Sequence, residues 1–344
     1  MMSDSLGQGP DRAQPNHADH SSLPRRTRAG RHAKRQVEYP REEEGLILHS
    51  PLPHGCVFVH ALTGPHDSGQ ACKLLTTHLL DTLQHERLIT FHPDDYVLYS
   101  ANRPAISLVG HTYVDYEPIE IGIDQVRDDE GHDFLLLHGP EPDLNWEHFS
   151  SSIAGIMAAI ETPLAIGCRA VAMTIPHTRP VHVLEHGNTD DIPSDQDAEQ
   201  AHRWPASMCA TLEFKIGAAG VPSVGFTAGV PFYAQNGWYP QAGSELVRRI
   251  SARSGLALPL GDLEAAHAQA EGDIAAQVAQ DENLAHALRL LEEGYDEKLG
   301  EENQLHNLGD LPSADEIGAA AEAFLADLMR HHRHADPPGD SSAQ

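Results

Sequence analysis

Residues 56–91 read CVFVHALTGPHDSGQACKLLTTHLLDTLQHERLITF, and this stretch decides the fold class. Residues 56–61 are a short apolar run of strand type, closed by the turn-forming Thr63-Gly64-Pro65-His66. Asp67 or Ser68 stands where a side-chain oxygen can cap a following helix. Leu75, Leu79 and Leu83 then recur at i, i+4 and i+8, which gives one buried face to a helix over residues 69–86. Residues 88–91 form the next strand. Strand, helix and strand in this order favour parallel pairing in a doubly wound α/β sheet or a similar one.

The same mixture of elements continues outward. Residues 92–118 hold Pro93, Pro104, Gly110 and Pro118 and read as irregular. Residues 119–126 alternate as a strand does, and residues 134–137 are a continuous apolar strand of the kind buried on both sheet faces. Residues 146–160 suit a helix with Phe149, Ile153, Ile156 and Ile160 along one side. Further strands are expected at 164–167, 181–184 and 221–230, and further helices at 208–217 and 240–254. The acidic stretch 186–199 reads as an exposed loop or insertion.

After Leu260 the chain turns rich in Ala, Glu and Leu. Leu284, Leu288, Leu291 and Tyr295 follow a 4-3-4 spacing, as do Ile317, Ala321, Phe324 and Leu328, the latter preceded by a Ser313–Glu316 capping box. Such seams pack against their own domain or against another subunit. The expected organisation is a disordered arm over 1–45, an α/β domain over 46–260, a helical segment over 261–330 and a disordered tail over 331–344.

Composition narrows the function classes. The net charge of −28, from 23 basic and 51 acidic residues, repels nucleic acid and anionic membranes. One block runs the other way: Arg25, Arg26, Arg28, Arg31, Lys34 and Arg35 carry no acid among them. It reads as a disordered arm or as an electrostatic tether to an acidic partner, including the protein's own body. No apolar run approaches the ~20 residues that cross a bilayer, and residues 1–36 show no signal-peptide core. The cytoplasm is therefore the expected location. The four cysteines are widely separated and read as reduced core thiols, with a metal or redox role as the alternative. The 24 histidines are scattered without ligand spacing; His331, His332 and His334 cluster in the tail. Neither a metal nor a cofactor is expected.

Parallel α/β sheets bind ligands beyond the carboxyl ends of their strands, and the polar residues gather there. His60 ends the first strand and leads to Asp67; residues 134–137 lead to Glu141 and Asp143; the strand at 164 leads to His177 and Arg179; the strand at 221 leads to Tyr233. These seven are the candidate ligand or partner cleft, with no catalytic residue assigned. Glu141 or Asp143 could serve as general acid or base, or Asp143 could cap the helix at Trp146. His177 and Arg179 could bind an anion, or form a salt link to the Glu141 loop. Tyr233, Trp238 and Tyr239 could line an aromatic pocket or an interface. Phosphate-binding glycine loops and the serine-hydrolase elbow are missing, so nucleotide hydrolysis and serine-hydrolase chemistry lose weight.

The segments Val59-His60-Ala61-Leu62-Thr63-Gly64, Phe134-Leu135-Leu136-Leu137-His138-Gly139-Pro140-Glu141-Pro142-Asp143, Pro176-His177-Thr178-Arg179-Pro180, Val230-Pro231-Phe232-Tyr233 and Leu311-Pro312-Ser313-Ala314-Asp315-Glu316-Ile317 resemble the bacterial branch of the proteasome assembly chaperone family. The resemblance spans residues 46–330. It implies a three-layer α/β/α sandwich similar to nucleoside phosphorylase folds, an appended helical part and a homo-oligomer, with a trimer as one form. Members often carry an acid, Gly and an aromatic after the His-Ala strand, where this chain has Thr63-Gly64-Pro65-His66; a site role for that acid is in doubt here. The expected function is a non-enzymatic assembly or scaffold factor that binds itself and another protein complex. The alternative is a binder or enzyme for a nucleoside-like ligand, using Glu141, Asp143, His177 and Arg179 converged in one cleft.

Overall fold

The computed structural model describes residues 45–192 and 205–302. The basic block at 25–35, the seam and capping box at 313–328 and the histidines at 331–334 lie outside the described residues. From Gly45 the chain forms β1 (Leu46–Leu48), β2 (Val57–Thr63), α1 (Ala71–Thr82), β3 (Gln84–Phe91) and the one-turn α2 (Pro93–Tyr96). Then come β4 (Ala105–Val109), β5 (Thr112–Glu117), β6 (Ile121–Arg127), β7 (Asp133–Pro140), α3 (Trp146–Ala159), β8 (Ala165–Met173) and β9 (Val183–Gly187). The described chain ends with α4 (Met208–Ala218), β10 (Ser223–Pro231), α5 (Pro240–Ser254), α6 (Gly261–Gln280) and α7 (Glu282–Glu302).

Eight strands make one sheet in the order β1-β3-β6-β7-β2-β8-β10-β9. Its centre, β7-β2-β8-β10, is parallel. The flanks are antiparallel: β6 against β7, β3 against β6, β1 against β3 and β9 against β10. β3 thus runs in the direction of β2, as a strand–helix–strand unit requires, but β6 and β7 lie between them. The expected neighbour pairing is corrected accordingly, because the hairpin-like return of β6 to β7 fills the space that the α1 crossover leaves open.

Side-chain alternation along the strands divides the core. Val59, Ile166 and Phe226 face α1 and α5, where Leu75, Leu79, Leu246 and Ile250 cover them. Phe58, Leu137 and Ala165 face the opposite layer, where Phe149, Ile153 and Met157 of α3 and Leu212 and Ile216 of α4 complete the core. The protein is therefore an α/β/α sandwich. Leu263 of α6 joins the α1–α5 side, so the helical segment starts as a continuation of that layer. No helix among the described residues is long and apolar enough to cross a membrane.

Two sequence readings change. Residues 92–118 contain a second, two-stranded sheet, β4 paired with β5. Pro104 and Pro118 bracket it and Gly110, at φ +65°, makes its turn; the residues read as breakers are the punctuation of a hairpin. His186, placed by sequence in an acidic loop, belongs to β9 and pairs with Gly225 of β10. Residues 193–199 of that stretch lie outside the described residues.

Candidate functional site

In the parallel centre, β2 and β8 pair from Phe58↔Ala165 to Ala61↔Cys168 and then part. The chain leaves β2 through α1 on one face toward β3, and leaves β8 through β9 and then α4 on the other face toward β10, so this is the switch point at which α/β proteins bind ligands. Here the crevice is filled by the chain itself. The turn after β2 re-enters it, bridging Asp67 to Ala170, with the Ala170 N–H donating to the His66 carbonyl at 2.9 Å. The thiols of Cys72, from α1, and Cys209, from α4, both donate to the Cys168 carbonyl, at 3.4 and 3.6 Å. Burial pushes all three thiols well upward in pKa, so they stay protonated and inert.

The carboxylates at the crevice hold helix starts. Asp67 accepts the N–H groups of Cys72 at 2.6 Å and Lys73 at 3.3 Å, and Glu141 accepts the Met208 N–H at 2.7 Å. These amides lie in the first turns of α1 and α4, where intrahelical acceptors are lacking. Burial raises the Asp67 pKa against the pull of those donors. Asp67→Ala should cost about 1–2 kcal/mol, read as a lower urea midpoint at unchanged slope. Asp143 was expected to cap α3. Its carboxylate instead accepts the Leu98 N–H at 2.7 Å and Asn102 Nδ2 at 3.0 Å, pinning the loop after α2, while Asn145 takes the N-cap position in a left-handed conformation.

His60 sits lower, within the sheet on the α4 side, and is fully buried. Gly167 and Gly225, register partners on β8 and β10, leave a niche there. A Cβ on Gly167 would lie 2.6 Å from a Glu213 oxygen and 2.7 Å from the His60 ring. Glu213, reaching in from α4, pairs with His186 Nδ1 at 3.0 Å. Arg169 donates to Thr227 Oγ1 at 2.6 Å and to His186 Nε2 at 3.1 Å, which leaves the His186 proton on Nδ1, facing Glu213. Burial pushes the Glu213 pKa up, but His186, His60 and Arg169 together bring it below the usual range. Neither ring nitrogen of His60 has a hydrogen-bond partner among the described residues.

A second place lies beyond β10. His177, on the loop after β8, gives its backbone N–H to the Tyr233 hydroxyl at 2.8 Å, and its Nδ1 lies 2.8 Å from the same oxygen. Burial lowers the His177 pKa and lifts that of Tyr233 to about 12, so both are neutral near pH 7. They line a cavity of about 290 Å³ whose remaining wall is apolar, including Phe232, Trp238, Ile274 and Leu288. Arg179 does not reach the Glu141 loop. It is held by Asp296 at 2.6 Å and Glu292 at 3.5 Å, both on α7, and Tyr295 donates to the Pro180 carbonyl at 3.3 Å. These contacts tie the α7 arm to the strand-end loop.

Of the seven candidate residues, His177 and Tyr233 share this cleft, with Arg179 on the loop that ties α7 beside it. Asp67 and Glu141 lie at the filled crevice, Asp143 at the loop after α2, and His60 inside the sheet. The sequence missed Arg169, His186 and Glu213, whose one signal was glycine inside two apolar strands. No group of His, Cys, Asp and Glu able to hold a metal occurs among the described residues.

Comparison with known proteins places this geometry. The profile described as the PAC2 family matches residues 61–278, more than half of the chain. Among solved structures, a protein of unknown function from Mycobacterium tuberculosis is 31% identical with a TM-score of 0.73, over 77% of this chain and 94% of its own. One of unknown function from Corynebacterium glutamicum is 30% identical with a TM-score of 0.69, over 74% and 98%. A proteasome-assembly chaperone homologue from M. tuberculosis is 26% identical with a TM-score of 0.59, over 67% and 99%. No curated protein sequence matches the chain. The family profile, the two relatives at 30% identity or above and the shared α/β/α sandwich agree that the chain belongs to the PAC2 family.

Proposed function

We propose that this protein is a non-catalytic assembly or scaffold factor, working in the cytoplasm as a homo-oligomer that engages another protein complex. The observation that carries the reading is the filled switch-point crevice: Asp67, Glu141, Cys72 and Cys209, the groups best placed to act on a ligand there, are engaged in holding α1 and α4. The similarity to a solved proteasome-assembly chaperone homologue supports it, as do large apolar side chains left in solvent, Trp238 at 62% exposure and Tyr113 at 69%. Four unpaired cysteines suit a reducing compartment.

The nucleoside-ligand reading required Glu141, Asp143, His177 and Arg179 in one cleft. Their hydrogen bonds lead to α4, the loop after α2, Tyr233 and α7 respectively, so that reading is not adopted. Two measurements test the proposal. Mild crosslinking in native lysate should recover a stoichiometric protein partner with the tagged chain; recovery of the homo-oligomer alone counts against a partner. A thermal-shift screen with nucleosides, phosphates and sugars should leave the melting temperature unmoved, whereas a saturable rise would reopen the ligand reading.

A further inference from the structure

The niche around Glu213 is built on one row of the sheet. His60 stands opposite Gly167, Gly167 opposite Gly225 and Gly225 opposite His186, so the row reads His-Gly-Gly-His across β2, β8, β10 and β9. The Glu213 carboxylate of α4 fills the room that the two glycines leave. A Cβ on Gly225 would lie 2.5 Å from a Glu213 oxygen and would run into the His186 ring. The histidines at the two ends of the row differ. His60 is fully buried on a strand inside the sheet. His186 is partly exposed, and its strand β9 is the last of the sheet, paired among the described residues with β10 alone.

Each hydrogen bond to His186 calls for a neutral ring. Nδ1 lies 3.0 Å from Glu213 Oε2, an acceptor, and so carries the proton. Nε2 meets two donors: Arg169 Nη2 at 3.1 Å and the Thr227 hydroxyl at 3.2 Å, whose own oxygen already accepts from Arg169 Nε at 2.6 Å. A second proton on His186 must go to Nε2, and three donors then face one another. The remaining groups around the ring do not relieve this. His60 of β2 lies across the row, and the Cys209 thiol of α4 is 3.4 Å from the other Glu213 oxygen. Glu185, next to His186 on β9, points to the opposite sheet face, where Arg253 of α5 is 3.7 Å away. Arg169 and Glu213 balance each other, so a charged His186 leaves an excess positive charge in a partly desolvated place.

We propose that His186 is an acid-released latch on β9: a proton taken up at Nε2 drives the side chain out to water and detaches β9 from β10. Of the two cations then crowded together, Arg169 belongs to β8, which is paired on both sides. His186 belongs to an edge strand none of whose residues is buried. Elements of that kind open at the lowest free-energy cost. Opening uncovers the β10 backbone from Val224 to Ala228, a strand edge able to pair again. The sign follows from linkage. The open form binds a proton that the closed form excludes, so closure is favoured above the titration range of histidine and is lost as pH falls through it.

Hydrogen–deuterium exchange of the full chain at pH 7 and pH 5, corrected for the intrinsic pH dependence of exchange, reads the latch. Wild-type protection over residues 183–188 should fall about tenfold or more, within the limit of ~10-fold per pH unit for one proton. Residues 134–137 of β7 should stay protected. His186→Gln cannot titrate, and its Oε1 can still accept from Arg169 and Thr227, so it should keep its protection at pH 5. Arg169→Met removes the cation that the second proton meets and leaves Glu213 to hold the charged ring; its protection should stay level or rise on acidification. His60→Leu should respond over 183–188 as wild type does. Equal wild-type protection at both pH values overturns the latch, as does a fall in His186→Gln or Arg169→Met as large as in wild type. A response that vanishes in His60→Leu belongs to His60 and also overturns it. So does wild-type loss over 134–137 in step with 183–188, which is unfolding of the whole domain.

Discussion

Replacing Gly139 with alanine should destabilise the protein by about 2–6 kcal/mol, the sum of ~1–3 for a disallowed backbone and ~1–3 for overpacking. Gly139 has φ +120°, a region closed to residues with a Cβ. A Cβ there would lie 2.3 Å from the Glu120 carbonyl oxygen and 2.8 Å from the Ile121 Cα. Both obstacles are backbone, so no rotamer change relieves them; β6 would have to move off β7. The displacement reaches the site, because Glu141 follows two residues later and holds the start of α4 through Met208. Thermal melting should fall by on the order of 10 °C for a domain of this size. Gly131→Ala is the control: its φ is +91°, but nothing lies within 4 Å of its added Cβ. If the two variants melt alike, close approach of β6 to β7 is not what Gly139 serves.

How much of this was legible in the sequence follows from the range of each interaction. Leu75 and Leu79 declare α1 through their own spacing, and both are fully buried. The apolar run at 134–137 likewise declares β7. The order of strands was not legible, since β6 and β7 enter between β2 and β3 through pairings that leave no mark on either partner alone. β3 also begins at Gln84, inside the stretch read as helix, because Gln84, His85 and Glu86 are polar, exposed residues that carry no apolar signal of a strand.

The candidate site divides the same way. His177 and Tyr233 stand on loops after parallel strands, where polar residues gather, and they meet. Arg179 stands on the same loop as His177, but its partner was not legible, since Asp296 lies 117 residues further on in a helix with its own seam. Asp143 looked like a cap by proximity to α3, yet an earlier loop competes for its carboxylate. The niche around Glu213 exists only because Gly167 and Gly225 fall opposite one another in the β8–β10 register, which no local pattern encodes.

That niche sets the second large effect. His60 is fully buried, and burial lowers its pKa from 6.5 to about 4, with Glu213 offsetting part of the shift and Arg169 adding to it. Between those values the unfolded chain binds a proton that the folded chain refuses. The contribution of His60 is therefore present above pH 6.5 and is lost as pH falls toward 4. The full window is worth about 3 kcal/mol, at ~1.36 kcal/mol per pH unit of difference. His177, also lowered by burial, adds loss of the same sign. Glu213 acts lower on the scale: its folded pKa lies below the ordinary 4.5, so its stabilisation is complete down to about pH 4.5 and is lost only as pH falls further. Urea unfolding at pH 7 and pH 4.5 should show wild type losing about 2 kcal/mol more than His60→Leu, which cannot titrate. The comparison is between slopes, so any offset that leucine causes at pH 7 cancels. Parallel losses in the two proteins would mean that His60 is protonated in the fold, with Glu213 as its counter-ion.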